Sequence, residues 1–198
     1  MFYSGIKDFD VANGPGIRVS LFVSGCPHHC PGCFNPETWE MNAGYPFTSY
    51  DRERIIALLK QDGIKGLSIL GGEPFAPYNV YEVADLINKV RTAIPELDIW
   101  VYTGYTIEEL CERLSPTYRV DRPVQSYGTV GILAMASILV DGRFIEELKD
   151  LKLRFRGSSN QRIIDLSRSK IDFPQMYSEM GPNAPWGVKE LVLAEEYM

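Results

Sequence analysis

Residues 17–33 read IRVSLFVSGCPHHCPGC, an apolar run followed at once by a loop that contains three cysteines. The run Ile17–Val23 is continuously apolar rather than alternating, which is typical of a parallel β-strand covered on both faces. In α/β folds, active and binding sites lie at the carboxyl ends of the parallel strands. This stretch therefore predicts an α/β fold with parallel strands, and it places the three-cysteine loop at the carboxyl end of one of them.

The same arrangement repeats along the chain. Three further apolar runs are each followed at once by a loop that contains glycine and polar residues. The runs are Gly66–Leu70, Asp98–Tyr102 and Ala136–Val140, and the loops after them begin GGEPFAPY, TGYT and DGRF. Helical periodicity falls between them over Asp51–Gln61 and Val80–Ile94, and Asn79 with Glu82 resembles a capping box for the second helix. Alternating strands and helices predict an α/β fold with a parallel sheet. Because fewer than eight βα units are present, we expect an open, partial (β/α) barrel.

Other segments depart from the repeat. Residues 115–135 are turn-rich and predict an irregular connection, whereas residues 151–156 (LKLRFR) alternate apolar and basic side chains and predict a strand with one basic face. We expect residues 1–170 to form the main domain. Residues 171–198 then form an appendage that ends in a short helix.

Composition narrows the function classes. The chain has 198 residues, a formal net charge of −6 and 45% hydrophobic residues, which fits a globular protein with one good-sized core. The acidic balance gives no support for nucleic-acid binding. The absence of a long apolar run or a signal peptide predicts a cytoplasmic protein that does not enter a membrane.

Three of the four cysteines, Cys26, Cys30 and Cys33, lie within eight residues. In a reducing compartment such a cluster is more often a metal site than a disulfide framework, and a disulfide would leave the third thiol unpaired. A zinc site would recruit His28 or His29 as its fourth ligand. Three thiolates on a four-iron cluster would instead leave one iron open to an outside ligand. The residues alone leave both metals open.

The order Cys-x3-Cys-x2-Cys-Phe resembles the signature of radical S-adenosylmethionine enzymes, and Gly-Gly-Glu-Pro after the next predicted strand resembles that family's second motif. The resemblance implies a partial barrel of the radical S-adenosylmethionine type. It also implies a [4Fe–4S] cluster on Cys26, Cys30 and Cys33, with S-adenosylmethionine on the open iron. The residues it implies for cofactor contacts are Gly32, Cys33, Phe34, Gly71, Gly72 and Glu73.

Residues 13–39, 98–106 and 140–165 are similar to the activating proteins of anaerobic (class III) ribonucleotide reductases. In that family S-adenosylmethionine is cleaved reductively to methionine and a 5′-deoxyadenosyl radical, which generates a glycyl radical on the large subunit of the reductase. Activases of other glycyl-radical enzymes share the two motifs but not the RGSSNQR segment, Arg156–Arg162. The resemblance implies the large subunit as partner and reduced flavodoxin or a similar protein as electron donor. The basic face of residues 151–156 is our hypothesis for the docking surface.

Overall fold

The computed structural model of the chain describes residues 1–115, 121–172 and 187–197. Its strands are β1 Phe2–Asp10, β2 Ile17–Val23, β3 Tyr45–Pro46, β4 Ile64–Gly71, β5 Asp98–Tyr102, β6 Ile138–Asp141, β7 Arg162–Asp165, β8 Lys170–Asp172 and β9 Gly187–Glu190. Its helices are α1 Ser49–Leu59, α2 Val80–Ala93, α3 Ile107–Glu112 and α4 Pro123–Met135. No helix among these described residues is long and apolar enough to cross a bilayer.

The first seven strands form one sheet in the order β3-β1-β2-β4-β5-β6-β7. The neighbours β2, β4, β5 and β6 run parallel, and antiparallel pairs extend the sheet on both sides. The α/β class and the four predicted parallel strands are therefore confirmed. Across the described part of the chain β3 and β7 are the two edges of the sheet, so the sheet is open and does not close into a barrel.

The two faces of the sheet have different coverings. On one face the strands meet the helices in the main apolar core, which includes Val19, Leu21, Leu67, Ile69, Ile99 and Val101 from strands and Ile55, Val83, Leu86, Ile87 and Val90 from helices. The intervening strand residues point the other way, because side chains alternate along a strand. That second face carries Arg18, Ser20, Ser68 and Trp100, all buried. Among the described residues, the rings of Phe155 and Tyr197 pack against Trp100 on this face.

The connection predicted over residues 115–135 was wrong in its second half, because Pro123–Met135 is a helix. A Cβ atom on Gly128 would lie 2.9 Å from the Val80 backbone, and one on Gly131 would lie 3.1 Å from the Ala84 Cβ. These two glycines therefore permit close packing of α4 on α2 instead of making turns. Residues 116–120 lie outside the described residues.

Two other local predictions were also wrong. Residues 151–156 form turns and bends, not a strand, because the chain reverses there to pair Lys149 with Ser158. The end of the chain contains the strand β9, which pairs with β8, where the predicted helix would begin, and only the 3-10 turn Glu195–Tyr197 near its end is helical. After β9 the chain returns to the main sheet, where the Tyr197 ring lies 5.1 Å from that of Trp100. The proposed boundary at residue 170 stays a prediction.

Candidate functional site

The cysteine loop begins where β2 ends and is anchored to a following turn. The Gly25 N–H donates to the Thr38 carbonyl at 2.7 Å, and the Cys26 N–H donates to the Trp39 carbonyl at 3.0 Å. Gly25 has a φ of +89°, and a Cβ atom there would lie 2.3 Å from the Tyr78 ring. Only glycine therefore fits at the entry to the loop.

The three loop thiols are partly buried. Burial raises the pKa of the Cys26 thiol to about 11 and also raises the pKa of Cys30. In the metal-free chain these two thiols are therefore protonated at neutral pH. Because a metal binds thiolate, loading the loop with metal would release their protons.

The loop thiols do not converge on one point. In the described part of the chain, no three His, Cys, Asp or Glu side chains are close enough together to hold a single metal ion. A four-iron cluster takes one thiolate on each of three different irons, so its sulfur ligands need not converge in this way.

The Gly71-Gly72-Glu73 segment is held against the cysteine loop by its backbone. The Gly72 N–H donates to the Val23 carbonyl at 2.7 Å, and the Glu73 N–H donates to the Gly25 carbonyl at 2.8 Å. Gly71 has a φ of +101°, which places it in the left-handed region. A Cβ atom on Gly72 would lie 2.5 Å from the Gly25 oxygen. The two glycines therefore allow the two loops to pair directly.

The Glu73 carboxylate is 0% exposed and has four protein partners. Its Oε1 accepts from the Phe75 N–H at 2.9 Å and from the Thr103 hydroxyl at 2.8 Å. Its Oε2 accepts from the Gly104 N–H at 2.8 Å and lies 2.9 Å from the His28 Nε2. The carboxylate thus joins the cysteine loop, its own segment and the end of β5.

Asn79 also links the cysteine loop to the segment that contains Glu73. The capping box predicted for Asn79 with Glu82 was wrong. The Asn79 side chain makes no cap hydrogen bond to α2. Its amide instead donates to the carbonyl oxygens of Ser24 at 2.9 Å and Glu73 at 3.0 Å. Asn79 is completely buried, so its amide stabilises two loops that lie beside the candidate site.

The strand-end loops surround an open cavity of about 610 Å³. Of the eight candidate site residues, seven line this cavity: Cys26, Cys30, Cys33, Phe34, Gly71, Gly72 and Glu73. Gly32 does not line it. It has a φ of +68° and packs against the Glu146 carboxylate, where a Cβ atom would come within 2.7 Å. The structure therefore brings together residues that are far apart in the sequence, and it gives Gly32 a role in the loop turn.

The lining of the cavity also contains residues that were not assigned to the site from the sequence. Phe144, Arg156, Gly157 and Gln161 line it. The Gln161 carboxamide oxygen accepts from the Gly157 N–H at 2.8 Å, and its amide group donates to the Gly142 carbonyl at 3.0 Å. The distinctive RGSSNQR segment was the available signal, since it follows the DGRF strand-end loop.

Comparisons with known proteins find one matching family and several similar proteins. Residues 12–164 match the family described as "4Fe-4S single cluster domain". A protein of Escherichia coli (strain K12), named anaerobic ribonucleoside-triphosphate reductase-activating protein, is 41% identical over 81% of this chain and 96% of its own length. Proteins with the same name from Vibrio cholerae and Enterobacteria phage T4 are 43% and 36% identical, each over 82% of this chain and over 97% and 93% of their own lengths.

Proposed function

The chain belongs to the family of anaerobic ribonucleoside-triphosphate reductase-activating proteins, and from this we propose that it generates a glycyl radical on the large subunit of such a reductase. The proposed reaction is reductive cleavage of S-adenosylmethionine at a [4Fe–4S] cluster. The observation that carries the proposal is that the three cysteines and the Gly71-Gly72 backbone line one cavity.

The donor set fits a four-iron cluster. Cys26, Cys30 and Cys33 supply three soft thiolate ligands from one irregular loop, and thiolates are the preferred ligands of such clusters. We assign these three residues as the cluster ligands. When bound and reduced, the cluster would supply one electron to the sulfonium of S-adenosylmethionine, giving methionine and a 5′-deoxyadenosyl radical that takes a hydrogen atom from the partner's glycine.

The cavity also fits a nucleoside-sized ligand beside the thiols. Its volume of about 610 Å³ falls within the usual range for small-molecule sites, roughly 300–1,000 Å³. We propose that the Gly71-Gly72 backbone approaches the methionyl group, because glycine leaves the peptide groups unobstructed. The Phe34 ring is exposed and lies 5.2 Å from that of Phe144, so it offers an apolar surface to the nucleoside. Glu73 would act through its buried contacts by holding both loops in place.

The partner's glycine must reach this cavity as part of a peptide, which requires an open mouth. Leu151, Leu153 and Phe155 line the cavity from one loop, and Leu151 is 83% exposed. Lys152 and Arg154 alternate with these residues. We propose that this rim contacts the large subunit, and that reduced flavodoxin or a similar protein supplies the electron.

We further propose a cytoplasmic location and a partial barrel of the radical S-adenosylmethionine type over residues 1–170, with residues 171–198 appended.

The test is reconstitution of the chain with iron and sulfide under anaerobic conditions, with and without the large subunit of a class III reductase. We expect a brown protein that releases methionine from S-adenosylmethionine upon reduction and produces the EPR signal of a glycyl radical on the large subunit. Replacing Cys26, Cys30 or Cys33 with serine should abolish both activities, whereas Cys111→Ala should retain them. A colourless zinc protein would contradict the proposal, and radical formation only on a different glycyl-radical enzyme would reassign the partner.

A further inference from the structure

His28 occupies the middle of the Cys26–Cys30 segment, yet its side chain is only 4% exposed. Both of its ring nitrogens have partners on other loops. Nε2 lies 2.9 Å from Glu73 Oε2, and Nδ1 lies 3.2 Å from the Arg143 Nε. The ring therefore bridges the segment after β4 and the loop after β6, and neither nitrogen is free to bind a metal in this arrangement.

The partners of the ring assign its proton. A guanidinium N–H can only donate a hydrogen bond, so Nδ1 of His28 accepts from Arg143. The ring proton then resides on Nε2, where it donates to the Glu73 carboxylate. A hydrogen bond to an ionised acceptor is stronger than one between neutral groups. The Arg143 contact is charge-assisted as well, but it is longer, 3.2 Å against 2.9 Å, and the Arg143 side chain is 57% exposed whereas Glu73 is completely buried. The contact to Glu73 therefore holds the ring more firmly.

The space around the ring is shaped for an imidazole. A Cβ atom on Gly104 would lie 2.4 Å from the His28 Cδ2, so the backbone of β5's loop can approach the ring only because residue 104 is glycine. The Tyr105 ring packs edge-on against His28, with the ring centroids 4.4 Å apart. Burial, shape and two hydrogen bonds thus agree on one orientation for this side chain.

We propose that His28 is a positioning residue: its Nε2–H bond to Glu73 fixes the Cys26–Cys30 segment against the Gly71-Gly72 backbone. Cys26 is already anchored by its own N–H, so a second fixed point two residues later defines the path of the loop between the first two thiols. This inference rests on the proposed function for what the thiols hold. The fixed conformation of the Cys26–Cys30 segment does not depend on a bound metal, so it can be tested in the metal-free chain.

Two substitutions separate the two contacts of the ring. His28→Gln can keep a donor near the position of Nε2, whereas His28→Asn can keep only an acceptor near Nδ1. The matched control is His29→Asn, since His29 is exposed and its ring stacks on Trp39 with centroids 4.8 Å apart. His29 has a φ of +46°, a backbone conformation that asparagine tolerates.

The first measurement is the rate of Cys26 alkylation by iodoacetamide in the metal-free chain, followed by mass spectrometry, with the buried Cys111 as internal reference. Losing a hydrogen bond to a charged group is expected to raise the Cys26 rate about tenfold or more in His28→Asn. His28→Gln and His29→Asn should remain near the wild-type rate, and Cys111 should not change in any variant.

The second measurement is the EPR spectrum of the reduced, reconstituted protein during titration with S-adenosylmethionine. We expect His28→Asn to alter the cluster signal and to weaken S-adenosylmethionine binding about tenfold, with His28→Gln close to wild type. Equal behaviour of the two His28 variants would overturn the role of the Glu73 contact, and so would an equal rise of alkylation at Cys111. If the wild-type chain held no cluster, the proposed function would fail while the alkylation test would still decide the inference.

Discussion

The Arg18 guanidinium lies 2.7 Å from Asp98 Oδ2, although Arg18 is on β2 and Asp98 is on β5. The Arg18 side chain crosses the intervening strand β4 at Gly66, where a Cβ atom would lie 2.6 Å from the guanidinium. It also donates to the Ser68 hydroxyl at 2.7 Å and to the Leu67 carbonyl at 2.9 Å. One completely buried cation therefore ties together three strands of the sheet.

We expect Arg18→Ala to lower the free energy of unfolding by about 3 kcal/mol, because it leaves buried acceptors without a donor. Arg18→Lys should not restore stability, since an ammonium group cannot reproduce the planar fork of donors. Urea denaturation of the metal-free chain measures both effects. The control is Arg168→Ala, which removes a largely exposed side chain 3.9 Å from Asp165. Similar losses for Arg18→Ala and the control would contradict this prediction.

Gly72→Ala tests the direct pairing of the two loops. The added Cβ would meet the Gly25 carbonyl oxygen at 2.5 Å, and that oxygen is backbone and cannot rotate away. We expect a loss of about 1–3 kcal/mol in unfolding free energy and about tenfold weaker S-adenosylmethionine binding. Gly5→Ala is the control, because a Cβ atom there has no neighbour within 4 Å. Unchanged binding in Gly72→Ala would show that the loops can separate without affecting the site.

The Glu108–Arg162 pair predicts a defined pH dependence of stability. Hydrogen bonding by Arg162 lowers the pKa of Glu108 from its ordinary value of 4.5 to about 2. Because the folded-state pKa lies below the unfolded one, the stabilisation is complete above pH 4.5 and is lost as the pH falls towards 2. The Glu108 side chain is 54% exposed, so solvent screening limits its contribution to about 0.5 kcal/mol.

Glu108→Gln should therefore be less stable than wild type at pH 7, and the difference should disappear as the pH falls towards 2. Urea denaturation across this range measures the difference, with Glu53→Gln on the exposed face of α1 as the control. A difference that stayed constant with pH would refute a contribution from the ionised pair.

Charge reversal at the cavity rim tests the proposed docking surface. We expect Lys152→Glu combined with Arg154→Glu to weaken the complex with the reductase large subunit about tenfold at low salt. The effect should shrink as salt rises, while cleavage of S-adenosylmethionine without the partner stays unchanged. The control reverses the exposed Lys60 and Lys65 near the amino end of β4. If both double variants bind the large subunit equally well at every salt concentration, the rim is not the docking surface.

Predictions from local sequence patterns were correct for elements whose conformation depends on their own residues. The strand Ile17–Val23 was predicted to the residue, and Asp98–Tyr102 likewise. A capping box forms between Thr106 and Glu109 at the start of α3, and both of its hydrogen bonds lie within one turn. The capping box predicted for Asn79 does not form, because the Asn79 side-chain amide donates instead to carbonyl groups that tertiary packing brings to it.

The antiparallel strands β1, β3 and β7 and the helix α4 were not predicted. The sequence did predict the four parallel strands and the helices α1 and α2 between them, and it placed the three cysteines and the Gly-Gly-Glu motif after parallel strands. It could do so because periodicity and ligand spacing are local properties, and because parallel strands end at the same edge of a sheet. The tertiary contacts show in addition that Glu73 is buried among partners from three loops, that His28 is one of those partners, and that Gly25 and Gly72 face each other. Those contacts join residues that are far apart in the sequence and that meet only when the strands pack side by side, so local sequence patterns do not predict them.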